Sequence, residues 1–309
     1  MPGLLPRLLR PVVGQVRYLQ PVPGRRARGL VAEVYRQLED EFGLLAPPVA
    51  LHAPVPELLA ASWLMLRESL LADGPVPRHQ RERVAAEVSR ANACPYCVTV
   101  HGLAEAALTP KAARAANAAE PQLGADGQLL GVARTFHYLN RMVNVFLPAS
   151  PVPAAGGGML QRLLVARAGR PHAPGSSLAL LPAGSQSSPD PVAEAFCRAE
   201  AAVRRAVEPW LPPGVADLLP RLLAGWDGTP PPLDGGWLTG ALATLPADEL
   251  PAGRFAALTA VSAYRVTPAV VAGFRGWEPA DAALLSTAAW ASLLTARRLV
   301  DGATEQRQR

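Results

Sequence analysis

Apolar residues recur every three to four positions along most of this 309-residue chain, which is the spacing of one face of an α-helix. This period predicts helices over 56–72, 78–93, 95–108 and 127–147, and a further helix that begins near Gly29. No run of alternating apolar and polar residues is bounded by turn signals, and β-strands need such runs. The sequence therefore predicts an all-α fold.

Three segments of the first half resemble three segments of the second half, in the same order. The matched pairs are VAEVYR (31–36) with VAEAFCR (192–198), EVSRANACPYCV (87–98) with AVSAYRVTPAVV (260–271), and LLGVARTFHYLNRMV (129–143) with LLSTAAWASLLTARRLV (284–300). Ordered self-similarity of this kind is typical of a duplicated structural unit. We therefore predict an internal pseudo-repeat whose second copy has Thr267 opposite Cys94 and Val270 opposite Cys97.

Composition divides the chain into four segments. Residues 1–28 form a Pro- and Arg-rich arm, and 29–147 form the first helical unit. Residues 148–190 are rich in Pro, Gly and Ser, which is the composition of a linker. Residues 191–309 form the second, degenerate unit, which lacks the paired cysteines.

Charge and hydropathy exclude several classes of function. The 30 basic and 25 acidic residues are interleaved, with no block of like charge, so we expect no nucleic-acid surface. No stretch of about 18 residues is apolar and free of charge, Pro and Gly, so we expect no membrane span. The first 30 residues lack the apolar core of a secretory signal, and we therefore expect a cytoplasmic protein.

One stretch, RERVAAEVSRANACPYCVTVHG, concentrates the residues that can carry chemistry. If a helix begins at Pro95, then Cys94, Cys97 and His101 lie within about 60° of one another on one face. Cys97 and His101 are four residues apart, so the imidazole can take the thiol's proton directly or through one water. The start of a helix stabilises a thiolate, and we expect Cys97 to ionise near neutral pH.

Glu82 lies twelve residues before Cys94, too far around a straight helix to share this face. Asn92 and Pro95 supply a break between them, because Asn tolerates turn geometry and Pro disfavours a helical residue before it. The sequence therefore predicts that Glu82 lies on a preceding helix. Its carboxylate would polarise His101 or Cys94 through water.

The spacing E-x11-C-x-x-C-x3-H, formed by Glu82, Cys94, Cys97 and His101, resembles the alkylhydroperoxidase D-like branch of the carboxymuconolactone decarboxylase-like superfamily. The resemblance covers residues 30–147 well. It implies an all-helical, oligomeric antioxidant enzyme that reduces organic hydroperoxides and takes electrons from a dithiol reductant or redox protein.

By the same resemblance, Cys97 attacks the peroxide, Cys94 resolves the product into a disulfide, and Glu82 with His101 relays protons. No bound cofactor or metal is implied beyond this redox-active disulfide. Tyr96 stands between the cysteines, where some members carry a second histidine.

Other interpretations of the motif remain open at the level of sequence. The cysteines could be a structural pair, or zinc ligands together with His101 and Glu82. The chain could be a general thiol–disulfide oxidoreductase, a thiol-bearing scaffold without catalysis, or an isomerase or decarboxylase-like enzyme that uses Glu82 and His101 as acid and base. Only the last of these chemistries does not need the cysteine pair.

The helix over 127–147 is apolar around most of its circumference, so it must be buried on several sides. We expect it to lie between the two units or between subunits, and we expect at least a homodimer. On this helix His137 is expected to be packed or at the surface, and Asn140 and Arg141 to be structural caps or ion-pairing residues. Cys197 is expected to have no role.

Overall fold

A computed structural model describes residues 15–110, 127–149, 170–184 and 187–308. These residues contain twelve α-helices and no β-strand, so the predicted all-α fold is confirmed for them. The helices are α1 Gly29–Gln37, α2 Pro47–Ala50, α3 Pro56–Leu66, α4 Arg78–Ala91, α5 Pro95–Leu108, α6 Gly127–Phe146, α7 Pro191–Val207, α8 Pro213–Ala224, α9 Gly236–Leu242, α10 Leu250–Ser262, α11 Pro268–Trp277 and α12 Asp281–Gln308. Within the described ranges, no helix is long and apolar enough to cross a membrane.

Prolines set the starts of most of these helices. Seven helices carry Pro at their first or second position, where its missing N–H and fixed φ are compatible with the first helical turn. Two of these starts are also capped by side chains. Asp190 accepts hydrogen bonds from the backbone of Val192 and Ala193, and Thr267 accepts one from Val270. Prolines and these two capping residues therefore determine where the helices begin.

Helices from the two halves of the chain pack against each other, so the halves do not form separate cores. Helix α3 packs against α7, and α6 packs against α12, so each pair joins one helix from each half. One hydrophobic core runs through both halves, from Leu19 to Val300. The α4–α5 and α10–α11 pairs begin their second helices at Pro95 and Pro268, but the duplication itself stays a prediction.

Helix α6 occupies the centre of this core. It contacts α3 and α4 from its own half and α7, α10 and α12 from the other half. Phe136, Met142, Val145 and Phe146 are each at most 1% exposed. Because the chain itself encloses the helix, its apolar surface gives no argument for a second subunit, and the homo-oligomer stays a prediction.

A buried charged cluster, formed by Arg67, Glu68, Glu41 and His172, fastens the end of the predicted linker to the first half. Arg67 donates to Glu68 at 2.7 Å and to Glu41 at 2.7 Å, and Nδ1 of His172 lies 3.2 Å from Glu41. Glu68 also accepts the backbone N–H of Gly175 at 2.7 Å. Two π-helical turns, Leu38–Phe42 and Arg67–Leu71, supply the first three side chains.

The described part of the N-terminal arm crosses both halves. The backbone N–H of Arg17 donates to Phe146 at the end of α6 at 2.8 Å, and that of Gln20 donates to Asp281 at the start of α12 at 2.7 Å. Tyr35 in α1 donates its hydroxyl to the carbonyl of Val22 at 2.9 Å. The arm therefore contacts the end of α6 and the start of α12, the helices that join the two halves.

The charged cluster generates a prediction about stability. Glu68→Gln should lower the free energy of unfolding by about 3 kcal/mol, because Arg67 is 2% exposed and loses a buried charged partner. Urea unfolding measures this change. Glu57→Gln is the matched control, since Glu57 is exposed in the first turn of α3 and its replacement should cost less than about 1 kcal/mol. Equal midpoints for the two variants would contradict the prediction.

Candidate active site

The turn between α4 and α5 positions the two cysteines. Ala93 adopts a left-handed conformation with φ 49°, and the N–H groups of Ala93 and Cys94 donate to Arg90 and Ser89 at 3.0 Å each. This pair of bonds is a Schellman motif, which ends α4 before Pro95 begins α5. The left-handed conformation costs an alanine roughly 1 kcal/mol, so surrounding contacts hold the turn. The break expected between Glu82 and Cys94 is therefore present.

Cys94 and Cys97 form a buried, reduced pair. They are 1% and 2% exposed, and neither forms a disulfide in this structure. Their thiols share a hydrogen bond, and the Cys97 thiol also contacts the side chain of Asn140. Cys94 precedes the first turn of α5 and Cys97 lies within it, as the sequence predicts.

Burial determines the ionisation of the Cys97 thiol. Desolvation is the largest effect and raises its pKa well above the ordinary value, and the neighbouring Cys94 raises it further. The hydrogen bond from Asn140 acts in the opposite direction but is weaker. The expectation that the helix start would leave Cys97 ionised near neutral pH is therefore wrong for this arrangement, because removal from water outweighs the helix field.

Glu82 and His101 are in direct contact. Nδ1 of His101 lies 2.6 Å from Oε2 of Glu82, and it donates because a carboxylate can only accept. The other oxygen, Oε1, accepts from Nε and Nη2 of Arg78 at 2.8 and 2.6 Å. Burial disfavours the charged carboxylate, but Arg78 and His101 outweigh it and lower the pKa of Glu82 to about 2. Glu82 therefore remains ionised and fixes the imidazole.

The structure brings the four motif residues together as two pairs. Among the described residues, no hydrogen bond joins Cys97 to His101, although they lie one turn apart on α5. The imidazole packs against the edge of Phe136, with ring centroids 4.4 Å apart. Among these described residues, no three His, Cys, Asp or Glu side chains are placed to hold a metal ion together, so the geometry does not support the zinc interpretation.

Tyr96, the residue between the cysteines, is 4% exposed. Burial is the main cause that raises the pKa of its phenol, and the two neighbouring thiols add to the effect. The side chain therefore stays protonated at neutral pH. At this position the chain therefore has a neutral hydroxyl near the cysteines. The imidazole that some members of the resembled family carry there would be a second titratable group.

A polar stripe on α6, formed by His137, Asn140, Arg141 and Asn144, completes the site. Asn140 donates to Ser89 at 3.1 Å and accepts from Asn92 at 3.0 Å, which leaves its amide beside Cys97. Sequence reasoning assigned Asn140 only a structural role and missed this contact. The signal that could have found it is a line of polar residues on an otherwise apolar helix.

The rest of the stripe holds the α4–α5 turn. Asn144 donates to the backbone carbonyl of Asn92 at 3.0 Å, and Nδ1 of His137 lies 3.1 Å from the Asn92 amide. Burial lowers the pKa of His137 to about 3, and Arg141 adds to this effect, so His137 is neutral. Arg141 makes no ion pair with any described residue, contrary to one of the two roles expected for it.

The sequence of this chain is similar to that of a known family and of one named relative. The model of the carboxymuconolactone decarboxylase family matches residues 57–120, which include all four motif residues. The chain is 35% identical to "Alkyl hydroperoxide reductase Rv2159c" of Mycobacterium tuberculosis (strain ATCC 25618 / H37Rv) over 328 aligned positions, covering 92% of this chain and 94% of that protein. No solved structure matches the chain.

Because Glu82 is ionised in the folded state, the free energy of unfolding should depend on pH. The pKa of Glu82 is about 2 in the folded state and 4.5 ordinarily, so its stabilising effect is complete above pH 4.5 and is lost as the pH falls through 2. The difference in unfolding free energy between wild type and Glu82→Gln should therefore shrink by about 3 kcal/mol between pH 5 and pH 2. Denaturant unfolding across this range measures it, with the exposed Glu57→Gln as control. A constant difference would show that the carboxylate is not held ionised.

Proposed function

The chain belongs to the carboxymuconolactone decarboxylase family, in its alkylhydroperoxidase D-like branch, and we propose that it is a thiol-dependent peroxidase that reduces organic hydroperoxides. The observation that carries the proposal is the buried pair of reduced, hydrogen-bonded thiols, next to a histidine that is oriented by an ionised glutamate. The relative named alkyl hydroperoxide reductase supports the same class of substrate.

The first step transfers one oxygen atom to sulfur. The Cys97 thiolate attacks the terminal oxygen of the hydroperoxide, the O–O bond breaks, and the alkoxide leaves as an alcohol after it takes a proton. Cys97 becomes a sulfenic acid and is oxidised by two electrons. In this proposal Cys97 is the attacking residue because it lies inside α5 and contacts the amide of Asn140.

The second step closes the disulfide. Cys94 attacks the sulfenic sulfur of Cys97, and one water molecule leaves. The existing hydrogen bond between the two thiols means that this step needs little movement of the backbone. An external dithiol, either a small molecule or a redox protein, then reduces the disulfide by two successive thiol–disulfide exchanges.

Glu82 and His101 serve as the proton relay in this scheme. His101 takes the proton of Cys97 through a water molecule and returns a proton to the leaving alkoxide. Glu82 keeps Nδ1 of the imidazole occupied at 2.6 Å and stabilises the imidazolium that forms. Arg78 holds Glu82 from its other side, so the carboxylate cannot turn away.

The raised pKa of Cys97 makes removal of its proton the step that needs assistance. A buried thiolate is stabilised only by donors that already point at the sulfur, because water is excluded. In this proposal Asn140 is that donor, because its side chain contacts the Cys97 thiol. We therefore assign Asn140 a positioning role, in which its amide stabilises the Cys97 thiolate before attack.

An acid–base enzyme is the second candidate. The direct contact between Glu82 and His101 is the observation that favours it, since such a pair can move a proton without any cysteine. An isomerase or decarboxylase-like reaction would retain its rate when Cys97 is replaced. The cysteine variants below therefore separate the two candidates.

The peroxidase proposal predicts a specific pattern among cysteine variants. Cys97→Ser should abolish turnover of cumene hydroperoxide, and Cys94→Ser should stop after one turnover with a sulfenic acid trapped on Cys97. His101→Ala should slow the reaction by about 10²–10⁴-fold, as expected for loss of a positioned acid–base group. The assay is peroxide consumption with a dithiol reductant, combined with mass mapping of the oxidised cysteines.

Cys197→Ser is the matched control, because Cys197 lies on α7, outside the motif, and its removal should leave turnover unchanged. Full peroxide reduction by Cys97→Ser, or failure of wild type to form the Cys94–Cys97 disulfide, would reject the peroxidase in favour of the acid–base candidate.

The role of Asn140 has its own test. Asn140→Ala should raise the apparent pKa of Cys97 by about 1 unit and slow its reaction with peroxide about tenfold at pH 7, because one hydrogen bond to a charged sulfur is lost. The rate of Cys97 alkylation against pH, in a Cys94→Ser and Cys197→Ser background, measures the pKa. Asn144→Ala, one turn along α6, is the control: it contacts Asn92 but not Cys97. The same shift in both variants would assign Asn140 a purely structural role.

A further inference from the structure

A chain of hydrogen bonds runs from Arg141 to the Cys97 thiol through two side-chain amides. Nη1 of Arg141 donates to Oδ1 of Asn92 at 2.9 Å, and Nδ2 of Asn92 donates to Oδ1 of Asn140 at 3.0 Å. The side chain of Asn140 contacts the Cys97 thiol and lowers its pKa, which is the effect of a donor. Every link therefore donates in the same direction, from the guanidinium toward the sulfur.

The direction of the last link depends on how the Asn140 amide is turned. An asparagine amide can present either its oxygen or its NH2 group to a neighbour, and a half-turn of the side chain exchanges the two. The NH2 group stabilises a thiolate, whereas the carbonyl oxygen would repel it. The orientation of Asn140 therefore decides whether this residue favours the ionisation of Cys97.

Ser89, the second partner of the Asn140 amide, does not select this orientation. Nδ2 of Asn140 donates to Oγ of Ser89 at 3.1 Å, and this hydroxyl donates to the carbonyl of Ala85 at 2.6 Å. A hydroxyl can also rotate and donate to an amide oxygen. Because Ser89 can serve either orientation, the selection depends on Asn92.

Two groups that cannot exchange roles hold Asn92. The guanidinium of Arg141 only donates and so requires the amide oxygen, and the carbonyl of Val88 only accepts and takes the NH2 group at 2.9 Å. His137 does not select, because its Nδ1 lies 3.1 Å from Nδ2 and 3.3 Å from Oδ1 of Asn92, and a neutral imidazole nitrogen either donates or accepts. Asn92 is therefore held in one orientation.

The half of the chain that lacks the paired cysteines holds the start of these hydrogen bonds. Nε of Arg141 donates to the carbonyl of Ala260 in α10 at 2.7 Å, and Nη1 also donates to the carbonyl of His137 at 2.7 Å. Arg141 is 4% exposed, so packing on all sides restricts the guanidinium. The contact between α6 and α10 therefore fixes the donor from which the series begins.

We propose that Asn92 is a positioning residue for Cys97: it holds the Asn140 amide with its NH2 group toward the thiol, and Arg141 holds Asn92 in turn. The inference rests on the proposed function, since it specifies how the reactive thiol obtains its donor. It also gives the second half of the chain a part in the site, through Ala260. The buried Arg141, which forms no ion pair with the described residues, acts as a group that can only donate.

The test measures the rate of Cys97 alkylation by iodoacetamide against pH, in the Cys94→Ser and Cys197→Ser background. Asn92→Asp keeps the shape of the side chain but offers only acceptors. The NH2 group of Asn140 should therefore turn toward the new carboxylate, and its oxygen toward the sulfur. The apparent pKa of Cys97 should rise by about 2, because a donor to the thiolate is lost and an acceptor takes its place.

The same substitution in an Asn140→Ala background separates this effect from the charge of the new carboxylate. There Asn92→Asp should change the apparent pKa of Cys97 by less than about 0.5, because the carboxylate pairs with Arg141 and no amide is left to turn. The same rise in both backgrounds would overturn the proposal. Because the assay contains no peroxide, that outcome would leave the proposed peroxidase activity intact.

Asn92→Ala separates orientation of the amide from support of the turn. The freed amide of Asn140 can still direct its NH2 group to the thiolate, so the apparent pKa of Cys97 should rise by less than about 0.5. A rise as large as that of Asn92→Asp would assign Asn92 a purely structural role and overturn the proposal. Asn92→Asp should keep the cooperative melting transition of wild type, since its carboxylate pairs with Arg141, and loss of that transition would also overturn it.

Discussion

The packing of α6 at the centre of the molecule is the constraint on which the remaining structure depends. Its apolar sides join the two halves, and its polar stripe meets the turn that carries the cysteines. A stripe of amides and charges in a core must find partners, and here Asn92, Ser89 and the Cys97 thiol supply several of them. The same helix therefore stabilises the fold and shapes the surroundings of the thiols.

The sequence predicts those parts of the structure that local rules determine. Prolines and the helical period locate the helices, and the Asn92–Pro95 break correctly predicts that Glu82 lies on a separate helix. The contact between Glu82 and His101 follows from this hairpin, although the structure makes it direct rather than through water. These predictions succeed because they involve residues within about one helical hairpin of each other.

The features that the sequence does not predict arise from packing between residues that are far apart in the chain. Burial of the thiols depends on how α6 covers α5, so the ionisation of Cys97 could not be read from the start of its helix. The contact with Asn140 joins α5 to α6 across roughly 43 positions of the sequence, which no local pattern predicts. His52 and His172 carry no sequence signal. In the structure, Nε2 of the fully buried His52 lies 2.8 Å from the Tyr138 hydroxyl, and His172 pairs with Glu41.

The interlocked halves have a consequence for synthesis of the protein on the ribosome. Helix α6 ends at Phe146, and its partner α12 begins only at Asp281, roughly 135 residues later. At translation rates of about 5–20 residues per second, α12 is synthesised roughly 7 to 27 seconds after α6. The apolar side of α6 that packs against α12 stays uncovered for that time. During that interval the nascent chain exposes a surface that favours aggregation. A holding chaperone would have more effect on the yield of this chain than on that of a protein whose halves fold in turn.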